Sequence, residues 1–187
     1  MAYPVQYFLR RSFLAGALAA LASPALANIG PDLVQGTLAK FQLAKSPKPL
    51  PELAFNDADD KPLKLADYKG KIVLLNFWAT WCGPCVKEMP SLDRLQAELG
   101  KDKFVVLPLS LDGPSRPKVA PFYKQQDLSN LPIFYDKGRK AMSTLDVTLL
   151  PTSILVDPAG RELGRLEGDA DWDTPDGLAL MRAAMAS

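Results

Sequence analysis

The stretch Ile72-Val73-Leu74-Leu75-Asn76-Phe77-Trp78-Ala79-Thr80-Trp81-Cys82-Gly83-Pro84-Cys85 runs from an unbroken apolar segment into two cysteines separated by two residues. Ile72 to Trp78 is apolar at every position except Asn76, which predicts a strand buried on both faces. Beyond the cysteines, Val86, Met89, Leu92, Leu95 and Leu99 recur every three or four residues, so Pro84 to Leu99 reads as a helix with one apolar stripe. The cysteines therefore fall where a strand gives way to the N-terminus of a helix.

That position has a chemical consequence. The unpaired N–H groups and the positive end of the helix dipole stabilise a thiolate, lowering the Cys82 pKa from about 8.5 towards neutrality. Cys82 is then the expected attacking nucleophile. Cys85, one turn further in, is expected to be more buried and to resolve a mixed disulfide by attacking Cys82. Pro84 is tolerated in a first helical turn, and Gly83 permits close approach of a partner chain. A static structural bridge is the plainer alternative, but closing so short a loop stabilises little.

Outward from the motif, strand-like runs at Phe104 to Leu111 and Ser153 to Val156 alternate with helical candidates at Arg116 to Gln126, Arg139 to Leu145 and Thr174 to Met185. The alternation predicts an α/β layer structure. After the Asp157-Pro158-Ala159-Gly160 turn, Arg161 to Leu166 is expected to pair antiparallel with the preceding strand. Upstream, Asn28 to Ala44 fits a short amphipathic helix, and Ser46 to Pro51, with three prolines, reads as a linker. The segments are thus residues 1–27, an N-terminal helix and linker over 28–48, and the folded domain over 49–187.

Composition removes many alternatives. The 187 residues contain two cysteines and no histidine, so one chain cannot assemble a four-ligand zinc site or a four-cysteine iron–sulfur cluster. Nucleophile–His hydrolysis is excluded by the same absence. With 22 basic and 21 acidic residues and no basic block, nucleic acid is not an expected partner. No cofactor is expected.

Arg10-Arg11-Ser12-Phe13-Leu14, an Ala/Leu run and Ala25-Leu26-Ala27 read as an export leader, cleaved after Ala27. The paired arginines resemble a twin-arginine signal; a general secretory signal reads almost the same. The apolar run is shorter than the ~20 residues of a membrane span, so stable insertion after cleavage is not expected, a retained inner-membrane anchor being the alternative. The expected location is the periplasm, an oxidising space.

With Pro51-Glu52-Leu53, Leu65 to Lys71, Val73 to Cys85, Lys87-Glu88-Met89-Pro90 and Leu150-Pro151-Thr152, residues 49–187 resemble the TlpA/ResA-like branch of the thioredoxin superfamily. The resemblance implies a thioredoxin-like fold, a central mixed β-sheet flanked by helices with an extra N-terminal arm. It further implies a periplasmic thiol:disulfide reductase acting on client proteins such as apocytochrome c or copper-site assembly proteins, and kept reduced by a membrane electron donor. Pro151 resembles the family's cis-proline, with the Leu150 backbone offered to substrate; Leu149 stands where relatives often carry Gly. Glu88 matches an acid that handles protons near the buried thiol. Asn76 and Pro108 replace the buried Asp and its partner Lys of thioredoxin itself, leaving Glu88 as the acid near the motif. The plainer reading of Asn76 is a buried amide bonded to backbone groups. Trp78 is expected to pack beneath the motif and Trp81 to form an exposed client platform; Trp172 is assigned packing only. A disulfide oxidase or isomerase and a Cu(I)-handling module are the competing functions.

Overall fold

The computed structural model describes residues 29–113 and 116–186. The expected leader lies outside them. Eight strands form one mixed sheet, β1 (Gln42–Pro49), β2 (Ala54–Asp57), β3 (Pro62–Lys64), β4 (Ile72–Trp78), β5 (Phe104–Ser110), β6 (Phe134–Tyr135), β7 (Thr152–Val156) and β8 (Arg161–Glu167). Their order across the sheet is β1-β8-β7-β4-β5-β6-β2-β3. Among the described residues four α-helices accompany them, α1 (Gly83–Leu99), α2 (Val119–Gln125), α3 (Lys140–Thr144) and α4 (Pro175–Met185). The fold class is the expected one.

β4 lies at the centre, parallel to β5 and antiparallel to β7. All seven of its residues are buried, which explains why its sequence shows no alternation. β7 and β8 form the expected antiparallel hairpin, closed by the Asp157 turn. Asp157 Oδ1 accepts from the Ala159 and Arg161 N–H groups at 2.9 Å each, and Gly160, at φ 83°, takes the left-handed position that the turn needs.

The N-terminal region departs from expectation. Residues 29–41 contain two short 3-10 turns, Pro31–Leu33 and Gly36–Leu38, in place of an amphipathic helix. The proline-rich stretch read as a linker is largely strand β1, paired with β8 from Gln42↔Arg165 to Pro49↔Arg161 with a register shift between Leu43 and Lys48. An edge strand tolerates proline because its outer N–H side has no ladder partner. Leu38 and Phe41 anchor the arm in the core. The helix expected from Arg116 to Gln126 is shorter, a 3-10 turn over Arg116–Lys118 followed by α2.

Candidate active site

The C-terminal end of β4 delivers the chain to the motif. Thr80 is held there by Asp112, which accepts from the Thr80 N–H at 2.9 Å and the Thr80 hydroxyl at 2.5 Å; Ser110 Oγ donates to the same carboxylate at 2.8 Å. Trp78 is fully buried, its ring against Phe122 and Tyr123 at centroid distances of 5.2 and 5.9 Å. Trp81, in the turn between β4 and the helix, is 63% exposed.

Cys82 is the N-cap of α1, and its Sγ accepts from the Cys85 N–H at 3.3 Å. The sulfur thus occupies the place where a helix offers donors to an anion. Cys82 and Cys85 are joined as a disulfide. Cys85 is fully enclosed, whereas Cys82 keeps a small accessible surface, and Gly83 and Pro84 are exposed beside it. The Leu150–Pro151 bond is cis. β7 starts one residue later, and its pairing of Thr152 with Phe77 sets Pro151 alongside the end of β4. Leu149, 49% exposed, and Trp81 are the exposed large apolar side chains among the described residues.

Beneath the disulfide lies a buried polar cluster. Glu88, one turn after Cys85, is 1% exposed. Its Oε1 accepts from the Trp172 indole N–H and its Oε2 from Asn76 Nδ2 at 3.3 Å. Burial pushes the Glu88 carboxyl up to about 8; the hydrogen bonds from Trp172, Asn76 and the Ala170 backbone oppose that rise, and the charge of Asp169 adds to it. Asn76 Nδ2 also donates to Ser153 Oγ at 3.0 Å. Asn76 is therefore bonded to side chains and not, as in the plainer reading, to backbone groups, because the parallel and antiparallel ladders of β4 already occupy the backbone.

Trp172 is likewise more than packing. Its backbone N–H donates to Ser91 Oγ at 3.1 Å, and the loop carrying it is held to α1 by Lys87–Asp169 at 3.4 Å and Arg94–Asp173 at 2.5 Å. Gly168 closes the circuit, its N–H donating to the Pro151 carbonyl at 2.8 Å. Trp172 and Ser153 are the polar partners that sequence reasoning missed. Glu88 and Trp172 are 84 positions apart, beyond the reach of any helical or strand periodicity.

A bridged cysteine pair capping the helix that follows the central strand, on a thioredoxin-like sheet, defines a thiol–disulfide oxidoreductase. Residues 47–161 match the AhpC/TSA family, and the chain belongs to it. It is 36% identical over 141 residues to the thiol-disulfide oxidoreductase ResA of Bacillus cereus, covering 75% of this chain and 80% of that protein. Among solved structures, it is similar to a thioredoxin-family thiol:disulfide interchange protein from Chlorobium tepidum, with a TM-score of 0.64 and 25% identity over 76% of this chain and 99% of that one. The exposed lipoprotein thioredoxin Etrx1 of Streptococcus pneumoniae gives 0.58 and 30% over 71% and 98%.

Proposed function

We propose that this protein is an exported protein-disulfide reductase. Its clients are disulfide-bearing proteins of the periplasm, of the kind represented by apocytochrome c and copper-site assembly proteins. Cys82 attacks the client disulfide, Cys85 displaces the client from the mixed disulfide, and Glu88 accepts the Cys85 proton. Trp81, Gly83 and Pro84 form one side of the client surface, and the Leu150 backbone with Pro151 forms the other. The observation that carries this reading is the unequal burial of the two sulfurs above a carboxyl group whose affinity for protons is raised towards neutrality.

The reducing direction is supported by the Gly83-Pro84 pair, through its resemblance to reducing thioredoxins. In an oxidising compartment a thioredoxin-like pair near about −270 mV needs an electron donor, for which a membrane protein facing the same side is the fitting class. The leader-like residues 1–27 support export, and among the described residues no helix is long and apolar enough to cross a membrane.

Trapping tests the attack order. Cys85→Ser is expected to retain clients as mixed disulfides on Cys82, which Cys82→Ser does not. Equal capture by both variants counts against the order. A reduction potential as high as about −120 mV, typical of a dedicated oxidant, would replace reductase with oxidase.

A further inference from the structure

Glu88 presents a problem that its surroundings solve in an unusual way. Both of its oxygens face donors, the Trp172 indole and the Asn76 amide, an arrangement suited to a carboxylate. Yet Glu88 is only 1% exposed, and a proton arriving on it needs an acceptor. Asn76 Oδ1 is fully buried and has no hydrogen-bond partner among the described residues.

We propose that Asn76 and Trp172 are positioning residues for Glu88, Asn76 rotating its side-chain amide when Glu88 takes up a proton and Trp172 directing that proton to Oε2. The indole N–H donates and cannot accept, so Oε1 stays an acceptor and the proton resides on Oε2. With Glu88 ionised, Asn76 Nδ2 donates one hydrogen to Oε2 and the other to Ser153 Oγ. A half-turn of the amide exchanges Nδ2 and Oδ1. The oxygen then accepts from the Glu88 hydroxyl and from the Ser153 hydroxyl, which is free to rotate into the donor role. Each protonation state thus has two hydrogen bonds at the shared amide position.

The inference rests on the proposed role of Glu88 in proton transfer. In the resolving step the Cys85 thiol gives its proton to Glu88 as its sulfur bonds to Cys82; the Cys82–client bond breaks, and its electron pair leaves on the client sulfur, which is protonated by solvent. The enzyme's dithiol is oxidised and the client disulfide reduced. Other charges around Glu88 are few. Asp169 acts on it and is paired with Lys87, Asp173 is paired with Arg94, and Asp171 is exposed with its N–H on Thr37 Oγ1. Strands β4, β5 and β7 carry no ionisable residue.

The test is side-chain NMR of the reduced full-length protein, labelled with 13C at Glu carboxyls and 15N at Asn amides. The Asn76 amide resonances are expected to titrate with the same midpoint as the Glu88 carboxyl. Trp172→Phe, which keeps the ring and removes the donor, is expected to raise that midpoint by about one pH unit, the worth of one hydrogen bond to a charged group. Asn76 signals that stay fixed while Glu88 titrates overturn the rotation, as does a Glu88 that does not titrate between about pH 5 and 10. A midpoint unmoved in Trp172→Phe overturns the role of Trp172. The wild-type titration decides the rotation even if that variant does not fold. Failure of the parent reading is separate: Glu88→Gln then keeps the wild-type pH profile of client reduction while Asn76 and Glu88 still titrate together.

Discussion

Asn76 and Pro108 are register partners on the adjacent parallel strands β4 and β5. Proline offers Asn76 no polar side chain, so the amide turns to α1 and β7, meeting Glu88 and Ser153. The buried carboxyl of Glu88 thus lies on the helix that carries the cysteines, bonded to the amide of the central strand.

Glu88 sets a pH dependence of stability. Its folded pKa, about 8, lies above the ordinary value of 4.5, so the folded state binds more protons than the unfolded state between those values. The stability associated with neutral Glu88 is complete below about pH 4.5 and is lost as pH rises through about 8. Urea unfolding of the oxidised protein is expected to show Glu88→Gln gaining on wild type across that window. A constant difference between the two would contradict a buried, neutral Glu88.

Trp81 contributes surface and little packing. Trp81→Ala is expected to move the melting temperature by less than about 2 °C, since exposed substitutions change stability by about 0.5 kcal/mol or less. Its kcat/KM for a protein client is expected to fall about tenfold, the loss of about 1.4 kcal/mol of contact. An unchanged kcat/KM removes Trp81 from the client surface.

Asp93, buried on α1, accepts from the Asn130 N–H at 2.8 Å, the Asn130 side-chain amide at 2.7 Å and the Leu131 N–H at 3.1 Å. Asp93→Ala leaves those donors unsatisfied and is expected to cost about 3 kcal/mol in denaturant unfolding. The reduction potential is expected to stay at the wild-type value, because the bonds hold the segment before β6 and not the motif. A loss under about 0.5 kcal/mol contradicts the three-donor arrangement.

Gly164 tests the docking of β1. A Cβ there meets Phe41 Cε1 at 2.5 Å and the Gln42 carbonyl at 2.6 Å. Gly164→Ala is expected to displace the start of β1, costing about 2 kcal/mol and opening residues 42–49 to proteolysis. Protease resistance equal to wild type means that the arm is not seated as described.

The parts of this architecture that could be read from the chain are those whose cause is local. β4 is buried on both faces and so appears as a continuous apolar run; the 3.6-residue stripe of α1 begins where that run ends. Cys82 and Cys85 lie within that reach, whereas Glu88, on the same helix, and Pro151 were singled out through resemblance. β1 was hidden because an edge strand is half solvated and carries Lys45, Pro47, Lys48 and Pro49. β6 has two residues, too few for an alternation to show. The Trp172–Glu88 bond depends on the whole β7–β8 hairpin returning the chain to α1, and no local pattern encodes it.

The two outermost rows of the sheet have a bearing on how the molecule behaves among copies of itself. β1 carries Pro47 and Pro49 with two lysines, and β3, at the opposite border, begins with Pro62 and ends with Lys64. A neighbour approaching either border meets an interrupted set of N–H groups and like charge, so growth of the sheet from molecule to molecule is discouraged. Both borders of the sheet thus disfavour edge-to-edge pairing between copies of the chain.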